Sequence, residues 1–498
     1  MSEKYERIQL TDGEDKGQDV TNLYWTGNMA IAMSYWNVGI ALSFLSTPVS
    51  YYLVDNLEAD SAMVNTYSAI TYLPWCLKIF FGILSDVYPM FGWHRRPWFF
   101  LGWGIFMVSN LALTIMGTPG TSALLLLSFS QTMGLLLSDT VADAMIVEAT
   151  EFEAEENKGR MRTQGYLIRS AGMIIGGLMG SCLYNQSEWG WGLDIGQCFM
   201  TQALVPFITL CPFWWKLHEI KYQGKIKGFG DMFEECFEFI VKDAVWVPCM
   251  YLYLYNFCSI SNPSWVNFLF DGLGFTDFEY GMLATFGYGL GCVGLWAYDK
   301  VFFNHGWRNL YLWTTCLTAF FSVLQLCLCY GYTFGMSDFI FATGDNSLTS
   351  AVQYIVFMPM CIMFLSMIPN GAEGTLYALI TTWQNVAYEV GYDIGTLFEC
   401  FIPVSNTDLI DGNYAGVIKL TYLCSALQIV PVFFIYFKLN VNGMDVACLP
   451  NSVVECQAQL NPENKTYWAS VSFHFILIAS IVVSSAQCIY VIYVPDAC

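Results

Sequence analysis

The stretch Gly82-Ile83-Leu84-Ser85-Asp86-Val87-Tyr88-Pro89-Met90-Phe91-Gly92-Trp93-His94-Arg95-Arg96-Pro97-Trp98 joins two long apolar segments of the chain. Its glycines, prolines, aspartate and paired arginines do not suit hydrocarbon, where every backbone polar group must be paired within the protein. The stretch therefore predicts a turn at a membrane surface. A weaker copy runs from Gly294 to Lys300 and on to Gly306-Trp307-Arg308. This recurrence predicts two related halves, an arrangement found in many secondary transporters.

Composition places the chain among helical membrane proteins. Of its 498 residues, 55% are hydrophobic and 12% are charged, whereas soluble domains carry about 25% charged residues. A helix needs about 20 apolar residues to cross the hydrocarbon core, and runs of this kind predict twelve spans and a thirteenth at the C-terminal end. The predicted spans lie near residues 27–53, 62–85, 97–117, 122–148, 163–184, 195–217, 244–270, 280–303, 309–332, 347–369, 375–401, 415–438 and 468–494.

The apolar runs divide the chain into five regions. A polar tail covers residues 1–23, and two six-helix halves cover 24–217 and 244–438. A polar linker, 218–243, joins the halves, and residues 439–498 add the extra span. We therefore expect an all-α protein with an internal repeat and a C-terminal addition.

Lysine and arginine lie in alternate loops, and this bias sets the orientation of a membrane protein. Arg95 and Arg96 follow the second predicted span, Lys300 and Arg308 follow the eighth, and other cations follow the fourth and sixth. We expect these loops and the N-terminus to be cytoplasmic. The net charge of −21 comes largely from acidic loops on the other side and an acidic N-terminal tail. No basic surface suited to nucleic acid is predicted.

Two segments carry features typical of loops on the non-cytoplasmic side of the membrane. Asn185 begins the sequon Asn185-Gln186-Ser187 in a loop expected outside, which makes it a glycosylation candidate. Residues 440–465 combine Cys448 and Cys456 with a sequon at Asn464, features that suit an external loop. The alternation of basic loops places that segment inside, and we follow the alternation because it depends on many loops.

Ionisable residues within the predicted spans are the candidate functional groups, because a charge at the centre of a membrane helix costs roughly 2.5–3.5 kcal/mol. Asp139 and Asp143 lie one turn apart on one face of the fourth span. Lys78 in the second span and Arg169 in the fifth lie at a similar depth. These residues either form ion pairs that only stabilise the bundle, or bind a solute, or carry a coupling proton.

The second half offers Asn385, Glu389 and Asp393 on one face of the eleventh span, near the depth at which transporters hold their substrates. Trp75 precedes Lys78 by about one turn, and its ring either stacks on a flat heterocycle or packs in the core. The sequence contains no nucleophile elbow, phosphate loop or metal-ligand spacing. We therefore expect a protein that is not an enzyme and that has no cofactor or metal.

The motif Pro74-Trp75-x-x-Lys78, followed by Gly82-x-x-Ser85-Asp86-x-x-Pro89-x-x-Gly92-x-x-Arg95-Arg96-Pro97, resembles the signature of the folate-biopterin transporter family, a branch of the major facilitator superfamily. Similarity continues in Asp139-x-x-x-Asp143 with Glu148, in Gly159-Arg160 before the span of Arg169, and in Pro369-x-Gly371-x-Glu373-Gly374-x-x-Tyr377-Ala378-Leu379 before Asn385. The resemblance covers about residues 40–438. It implies a major facilitator-type fold of two six-helix half-bundles and a proton-linked or facilitative carrier of pterins and folates. The thirteenth span is a departure, since a twelve-span carrier does not need it.

The resemblance also implies a conformational latch that holds the halves together in one state of the carrier. Its residues would be Gly82, Asp86, Arg95 and Arg96 in the first half, with Asp299 and Arg308 as the counterparts in the second.

The expected location of the protein is the plasma membrane, with an organelle membrane as the alternative.

The cargo stays open at this point. A carboxylate of Asp139 or Asp143 suits the N–H edge of a pterin, and Lys78 or Arg169 suits a folate carboxylate. The acidic spans also suit a cationic metabolite such as S-adenosylmethionine, with its sulfonium over an aromatic ring. A receptor that binds solute without moving it is the alternative from another functional class.

Overall fold

The computed structural model describes seven stretches of the chain, and within them the side chains of a few residues, among them Asp299 and Glu373, are not described. These stretches are 22–150, 160–185, 189–219, 228–368, 373–441, 443–460 and 464–493. The predicted tail of 1–23 lies almost wholly outside them, as do Pro369-Asn370-Gly371-Ala372 from the motif before the eleventh span.

The first half contains six long helices. They are α1 (Met29–Asn56), α2 (Ser61–Val87), α3 (Arg96–Met116), α4 (Thr121–Thr150), α5 (Arg160–Leu183) and α6 (Ile195–Phe213). In α2 the regular helix is interrupted by a 3₁₀ turn at Leu73–Leu77. Pro74 accounts for this turn, because proline donates no backbone hydrogen bond and its ring crowds the preceding turn of an α-helix.

In the described part of the linker and the second half, seven further helices have twelve or more residues. They are α7 (Phe229–Ile240), α8 (Asp243–Cys258), α9 (Asp277–Ala297), α10 (Trp307–Cys329), α11 (Asp338–Met367), α12 (Glu373–Phe401) and α13 (Ala415–Phe434). A further trace of the repeat is that a π-helical turn ends α1 at Tyr52–Asn56 and recurs after α8 at Phe268–Gly272. The C-terminal region adds the antiparallel strands β1 (Lys438–Val441) and β2 (Met444–Ala447), then α14 (Val453–Leu460) and α15 (Tyr467–Tyr493).

Ten helices of the described chain are long and apolar enough to cross a membrane: α1 to α6, α10, α11, α13 and α15. The three remaining predicted spans coincide with α8, α9 and α12. Of these, α8 ends at Cys258, and α12 carries Glu389, Asp393 and Glu399, which lower its hydropathy. The fold is that of a multi-pass helical membrane protein, and the count of thirteen spans stays a prediction.

The helices pack as two bundles that meet along two seams. In the first half α1 packs against α5 and α3 against α4, and in the second half α9 packs against α11. The seams between the halves are formed by α2 with α12 and by α5 with α9. A Cβ added at Gly39 would lie 2.1 Å from the carbonyl oxygen of Arg169, so α1 and α5 approach too closely for a side chain there. This close approach fixes the position of α5, which carries two of the charged residues described below.

The segment after α13 folds against the end of the bundle that carries the basic loops. The guanidinium of Arg308 lies 2.5 Å from Glu455 of α14, and Lys465 forms an ion pair with Glu238 of the linker helix α7. The backbone N–H of Asp243 donates to the carbonyl of Asn464 at 3.0 Å. These contacts place the segment at the same end as the basic loops, as their alternation predicts, and not with the opposite loops.

Candidate functional site

A buried cluster of charges lies between α2 and α4. The ammonium nitrogen of Lys78 is 2.7 Å from Asp143 Oδ2 and 3.3 Å from Asp139 Oδ2. All three side chains are less than a tenth exposed. Because an isolated charge is costly in hydrocarbon, the mutual pairing stabilises all three residues at this depth. Ion pairing, one of the three roles that the sequence left open for these residues, is therefore present, and the other two stay predictions.

Helix α5 adds two guanidinium groups to this cluster. Arg169 Nη1 lies 3.6 Å from Asp139 Oδ1, and Arg162 Nη2 lies 3.9 Å from Asp143 Oδ1. The hydroxyl of Tyr35, from α1, also donates to Asp143. In their ordinary ionisation states, three cations face two carboxylates, so the cluster carries one net positive charge.

Sequence reasoning identified Arg169 but missed Arg162 and Tyr35. Arg162 was assigned to a basic loop, whereas α5 begins at Arg160 and Arg162 is buried. The missed signal is that Arg162 and Arg169 are seven residues apart, which places them two turns apart on one face of a helix. Asp139 and Asp143, four residues apart, likewise share one face of their helix over a single turn.

Aromatic rings close the cluster, and some of them belong to the second half. Arg162 Cζ lies 4.1 Å from the ring centre of Tyr377 on α12 and 5.6 Å from that of Tyr166 on α5. The ring of Trp75 lies 5.7 Å from Arg169 Cζ and 6.0 Å from Lys78 Nζ. Cations over aromatic faces are attracted by the ring quadrupole, more strongly when water is excluded. The cluster therefore faces the seam between the halves.

Asn385 is brought to the same seam from the second half. Its amide nitrogen donates to the carbonyl oxygen of Trp75 at 2.8 Å, and the hydroxyl of Tyr72 donates to its amide oxygen at 3.3 Å. Both partners lie on α2. Asn385 thus joins the second half to the helix that carries Trp75 and Lys78.

Glu389 and Asp393 lie against the extra helix α15. The hydroxyl of Ser484 donates to Glu389 Oε1 at 3.0 Å, and the amide of Gln487 donates to the backbone carbonyl of Asp393 at 3.0 Å. Among the described residues, neither carboxylate forms an ion pair with a cation of the cluster. The sequence predicted that Glu389 and Asp393 share one face of their helix. In the structure these residues contact α15 and not the cluster of Lys78.

The first-half latch residues form a connected group at the basic end. Asp86 Oδ1 lies 2.5 Å from Arg95 Nη2, which lies 2.7 Å from Glu148 Oε1. The hydroxyl of Thr375, at the start of α12, donates to Asp86 Oδ2. A Cβ added at Gly82 would lie 3.4 Å from Ala378 Cβ, so α2 and α12 are in close contact here. Asp86 therefore links the two halves.

The other latch residues have different partners. The backbone N–H of Arg96 donates to Glu219 at 3.0 Å, and its guanidinium donates to the carbonyl of Trp214 at 2.8 Å, so Arg96 anchors the chain that follows α6. Arg308 binds Glu455 and donates from Nε to the carbonyl of Leu449 at 2.8 Å, both in the C-terminal segment. The side chain of Asp299 lies outside the described part of the chain, and its predicted role stays a prediction.

Asn185 is fully buried in this structure, and Gln186 and Ser187 of its sequon lie outside the described residues. A glycan needs an exposed asparagine side chain, so glycosylation there stays a prediction that requires this loop to move. Within the described stretches, no group of three or more histidine, cysteine, aspartate or glutamate side chains is placed to hold a metal ion.

The fold is that of solved major facilitator transporters. A D-xylose-proton symporter superposes with a TM-score of 0.59 at 11% identity, covering 84% of this chain and 96% of the symporter. A bacterial homologue of the iron transporter ferroportin, in an outward-facing state, superposes with a TM-score of 0.51 at 13% identity. The superposition covers 83% of this chain and 98% of that protein. At this level of identity the likeness concerns the fold alone.

Relatives at the level of sequence are named as transporters. The folate-biopterin transporter of Synechocystis sp. is 22% identical over 405 residues, which cover 80% of each chain. Folate transporter 1 of Plasmodium falciparum is 23% identical over 398 residues, 79% of this chain and 75% of that protein. The model of the BT1 family matches residues 38–447. Because that match covers most of the chain, the protein belongs to the BT1 family and is a membrane transporter, not an enzyme.

Proposed function

We propose that this protein carries a pterin- or folate-like solute across a membrane by alternating access, with its N-terminus in the cytoplasm. The observation that supports this most is the charged cluster of Lys78, Asp139, Asp143, Arg162 and Arg169, which is buried within the spans and faces the seam between the halves. Transporters bind their substrates at such seams, near the bilayer midplane. The named relatives carry folates or biopterin, which makes these compounds the first candidates.

Polar contacts across the α2 and α12 seam support a rocking mechanism. At the basic end Thr375 donates to Asp86, and towards the other end Asn65 donates to Thr396 at 2.6 Å and to the carbonyl of Tyr392 at 2.5 Å. Opening either end of the seam would break one set of contacts and leave the other. Two separate sets of this kind are what a carrier needs to expose its site to one side at a time.

The bridging position of Lys78 suits a coupled carrier. Lys78 contacts both Asp139 and Asp143, so protonation of one aspartate would release it towards the other. Such an exchange would link proton uptake to solute binding, because protonation of an aspartate leaves the cations of the cluster short of one carboxylate, which an anionic solute would replace. We therefore include proton coupling in the proposal, and we place the carrier in the plasma membrane.

The net positive charge of the cluster supports some of the candidate cargoes over others. A folate brings a carboxylate that could pair with the excess cation, and a pterin is neutral, whereas S-adenosylmethionine would add a sulfonium cation beside three basic side chains. Like charges in a site of low polarity repel strongly. The cluster therefore favours an anionic or neutral solute.

Counterflow tests whether the protein moves its solute or only binds it. Vesicles with and without the reconstituted protein are loaded with unlabelled folate or biopterin, diluted, and supplied with a trace of the same labelled compound. A carrier concentrates label inside the loaded vesicles well above the level in unloaded ones. A receptor gives saturable binding that is equal in loaded and unloaded vesicles, and that result would contradict the proposal.

A further inference from the structure

The guanidinium of Arg162 is buried with part of its hydrogen-bonding capacity unused. The residue is 5% exposed, and its Nε and Nη1 atoms are buried with no hydrogen-bond partner among the described residues. Among the described residues, Nη2 contacts the hydroxyl of Tyr166 at 3.5 Å and Asp143 Oδ1 at 3.9 Å. A guanidinium has five N–H donors and no acceptor, so several of its donors lack a partner.

Unpaired donors on a buried charge are costly, and proteins pair nearly all such groups. Asp143 is poorly placed to supply the missing acceptor. Its Oδ2 is held by Lys78 at 2.7 Å, and its Oδ1 accepts from Tyr35, so Arg162 is the most distant of its three partners. The excess of one cation over the carboxylates adds a second, independent reason to expect an anion here.

The surroundings of Arg162 define what kind of anion fits. Its guanidinium lies over the ring of Tyr377 on α12 and near the ring of Tyr166 on its own helix, α5. The ring centres of Tyr166 and Phe357 are 5.5 Å apart. Tyr377 and Phe357 belong to the second half, whereas Arg162 and Tyr166 belong to the first. A planar carboxylate suits the guanidinium, since its two oxygens match parallel N–H groups. The neighbouring rings suit an aromatic solute that carries the carboxylate.

We propose that Arg162 binds a carboxylate of the transported solute and is the residue by which the carrier favours anionic solutes over neutral ones. This inference rests on the proposed function and adds to it the residue that selects the cargo. Arg162 acts from α5 against Tyr377 of α12, so the bound carboxylate would touch both halves of the carrier.

Selectivity in reconstituted vesicles provides the first test. Labelled folate carries two carboxylates and labelled biopterin carries none, so the ratio of their KM values isolates recognition of the anion. In Arg162→Gln the ratio of the folate KM to the biopterin KM should rise at least tenfold, and Arg162→Lys should show a smaller rise. Lys419→Gln, which removes an exposed cation of α13, is the matched control and should keep the wild-type ratio. A ratio within twofold of wild type in Arg162→Gln overturns the inference while the proposed function stands.

A binding measurement on the purified protein separates the two proposals further. Benzoate and benzamide share a ring but differ in charge, so their effects on the thermal unfolding temperature report an anion site without any pterin. Benzoate should stabilise the wild type more than benzamide does, and this difference should disappear in Arg162→Gln and shrink in Arg162→Lys. The difference should persist in Lys419→Gln.

The possible outcomes are distinguishable. If wild-type vesicles transport neither folate nor biopterin but benzoate selectively stabilises the wild type, the proposed cargo is wrong and the anion site stands. If benzoate stabilises the wild type and the arginine variants equally, or stabilises none of them, the anion site is overturned. Should Arg162→Gln fail to fold, Arg162→Lys decides the matter, because an unchanged KM ratio and an unchanged benzoate effect in that variant also overturn the inference.

Discussion

Thr375 at the start of α12 donates a hydrogen bond to Asp86 at the end of α2, and through it the second half holds the first. Asp86 is fixed in turn by the guanidinium of Arg95, 2.5 Å away. The contact joins the halves at the basic end of the bundle, so the structure is closed at that end. A carrier that alternates must break this contact once in every cycle.

Removing the hydroxyl in Thr375→Val should weaken the closed state of the basic end. A hydrogen bond to a charged group contributes about 1.5–3 kcal/mol, which corresponds to about a tenfold shift or more between the two states. We expect the initial rate of solute uptake to fall by about that factor, and Asp86→Asn should also lower it with folding intact. The measurement is uptake by vesicles that contain equal amounts of protein.

Thr381→Val provides the matched control on the same helix. The hydroxyl of Thr381 donates at 2.9 Å to the carbonyl of Tyr377 within α12, so its removal leaves the seam intact. Equal uptake rates in the two threonine variants would contradict the latch.

Lys78→Met should destabilise the fold, because it leaves Asp139 and Asp143 buried without their closest cation. Breaking a buried ion pair by removal of one partner costs about 3–5 kcal/mol. A second change, Asp143→Asn, restores the net charge of the cluster and should recover much of the lost stability, though not transport. Thermal unfolding in detergent measures the first effect and vesicle uptake the second.

Lys419→Met removes an exposed cation of α13 and should leave the unfolding temperature near that of the wild type. If Lys78→Met were as stable as this control, the charges of the cluster would not depend on one another and the account of the site would be wrong.

Ser484→Ala tests how the extra helix α15 is attached. Its hydroxyl donates to Glu389 Oε1 at 3.0 Å, and Glu389 is fully buried. Loss of a donor to a buried polar group costs about 1–3 kcal/mol, so the unfolding temperature should fall by about one to three degrees. Ser485→Ala is the control, since its hydroxyl donates at 2.8 Å to Ile481 within α15. A fall of the same size in both variants would show that the contact with Glu389 contributes nothing specific.

Arg308→Gln should loosen the C-terminal segment from the basic end. The guanidinium binds Glu455 at 2.5 Å and the carbonyl of Leu449 at 2.8 Å, and glutamine can replace neither contact fully. We expect chymotrypsin to cleave the segment 438–465 several-fold faster, as followed by mass spectrometry of the fragments. Lys438→Gln, an exposed change on β1, should leave the cleavage rate unchanged. Slow cleavage in Arg308→Gln would mean that other contacts hold the segment.

The helical fold and the pairing of charges within the spans follow from the sequence for a shared physical reason, whereas the role of those charges in binding stays a prediction. Charges in apolar spans need partners, so the depth of Lys78, Asp139, Asp143 and Arg169 was enough to predict that they meet. The 3₁₀ turn at Leu73–Leu77 has an equally local cause, because Pro74 cannot continue a regular α-helix. Arg162 was not predicted as a site residue because a cation near the start of a helix cannot be told from a loop residue until the helix boundary is known.

The contacts of the C-terminal region could not be predicted from the sequence, for another reason. Helical spacing predicted that Glu389 and Asp393 share a face, but periodicity does not say which neighbour covers that face. The neighbour is α15, which has no counterpart in the internal repeat, so the symmetry of the two halves gives no guide to its position. The same reason applies to Arg308, whose partners Glu455 and Leu449 lie in the C-terminal segment that the repeat does not include.

Uptake of labelled folate, biopterin and S-adenosylmethionine by reconstituted vesicles, with and without an inward proton gradient, tests whether the buried cluster binds the transported solute. We predict uptake of folate or biopterin that the gradient stimulates and that Asp143→Asn abolishes, with S-adenosylmethionine at the level of protein-free vesicles. Equal uptake by the wild type and Asp143→Asn, or no uptake of any compound above the protein-free level, would contradict the claim that the buried cluster is the solute site of a pterin or folate carrier.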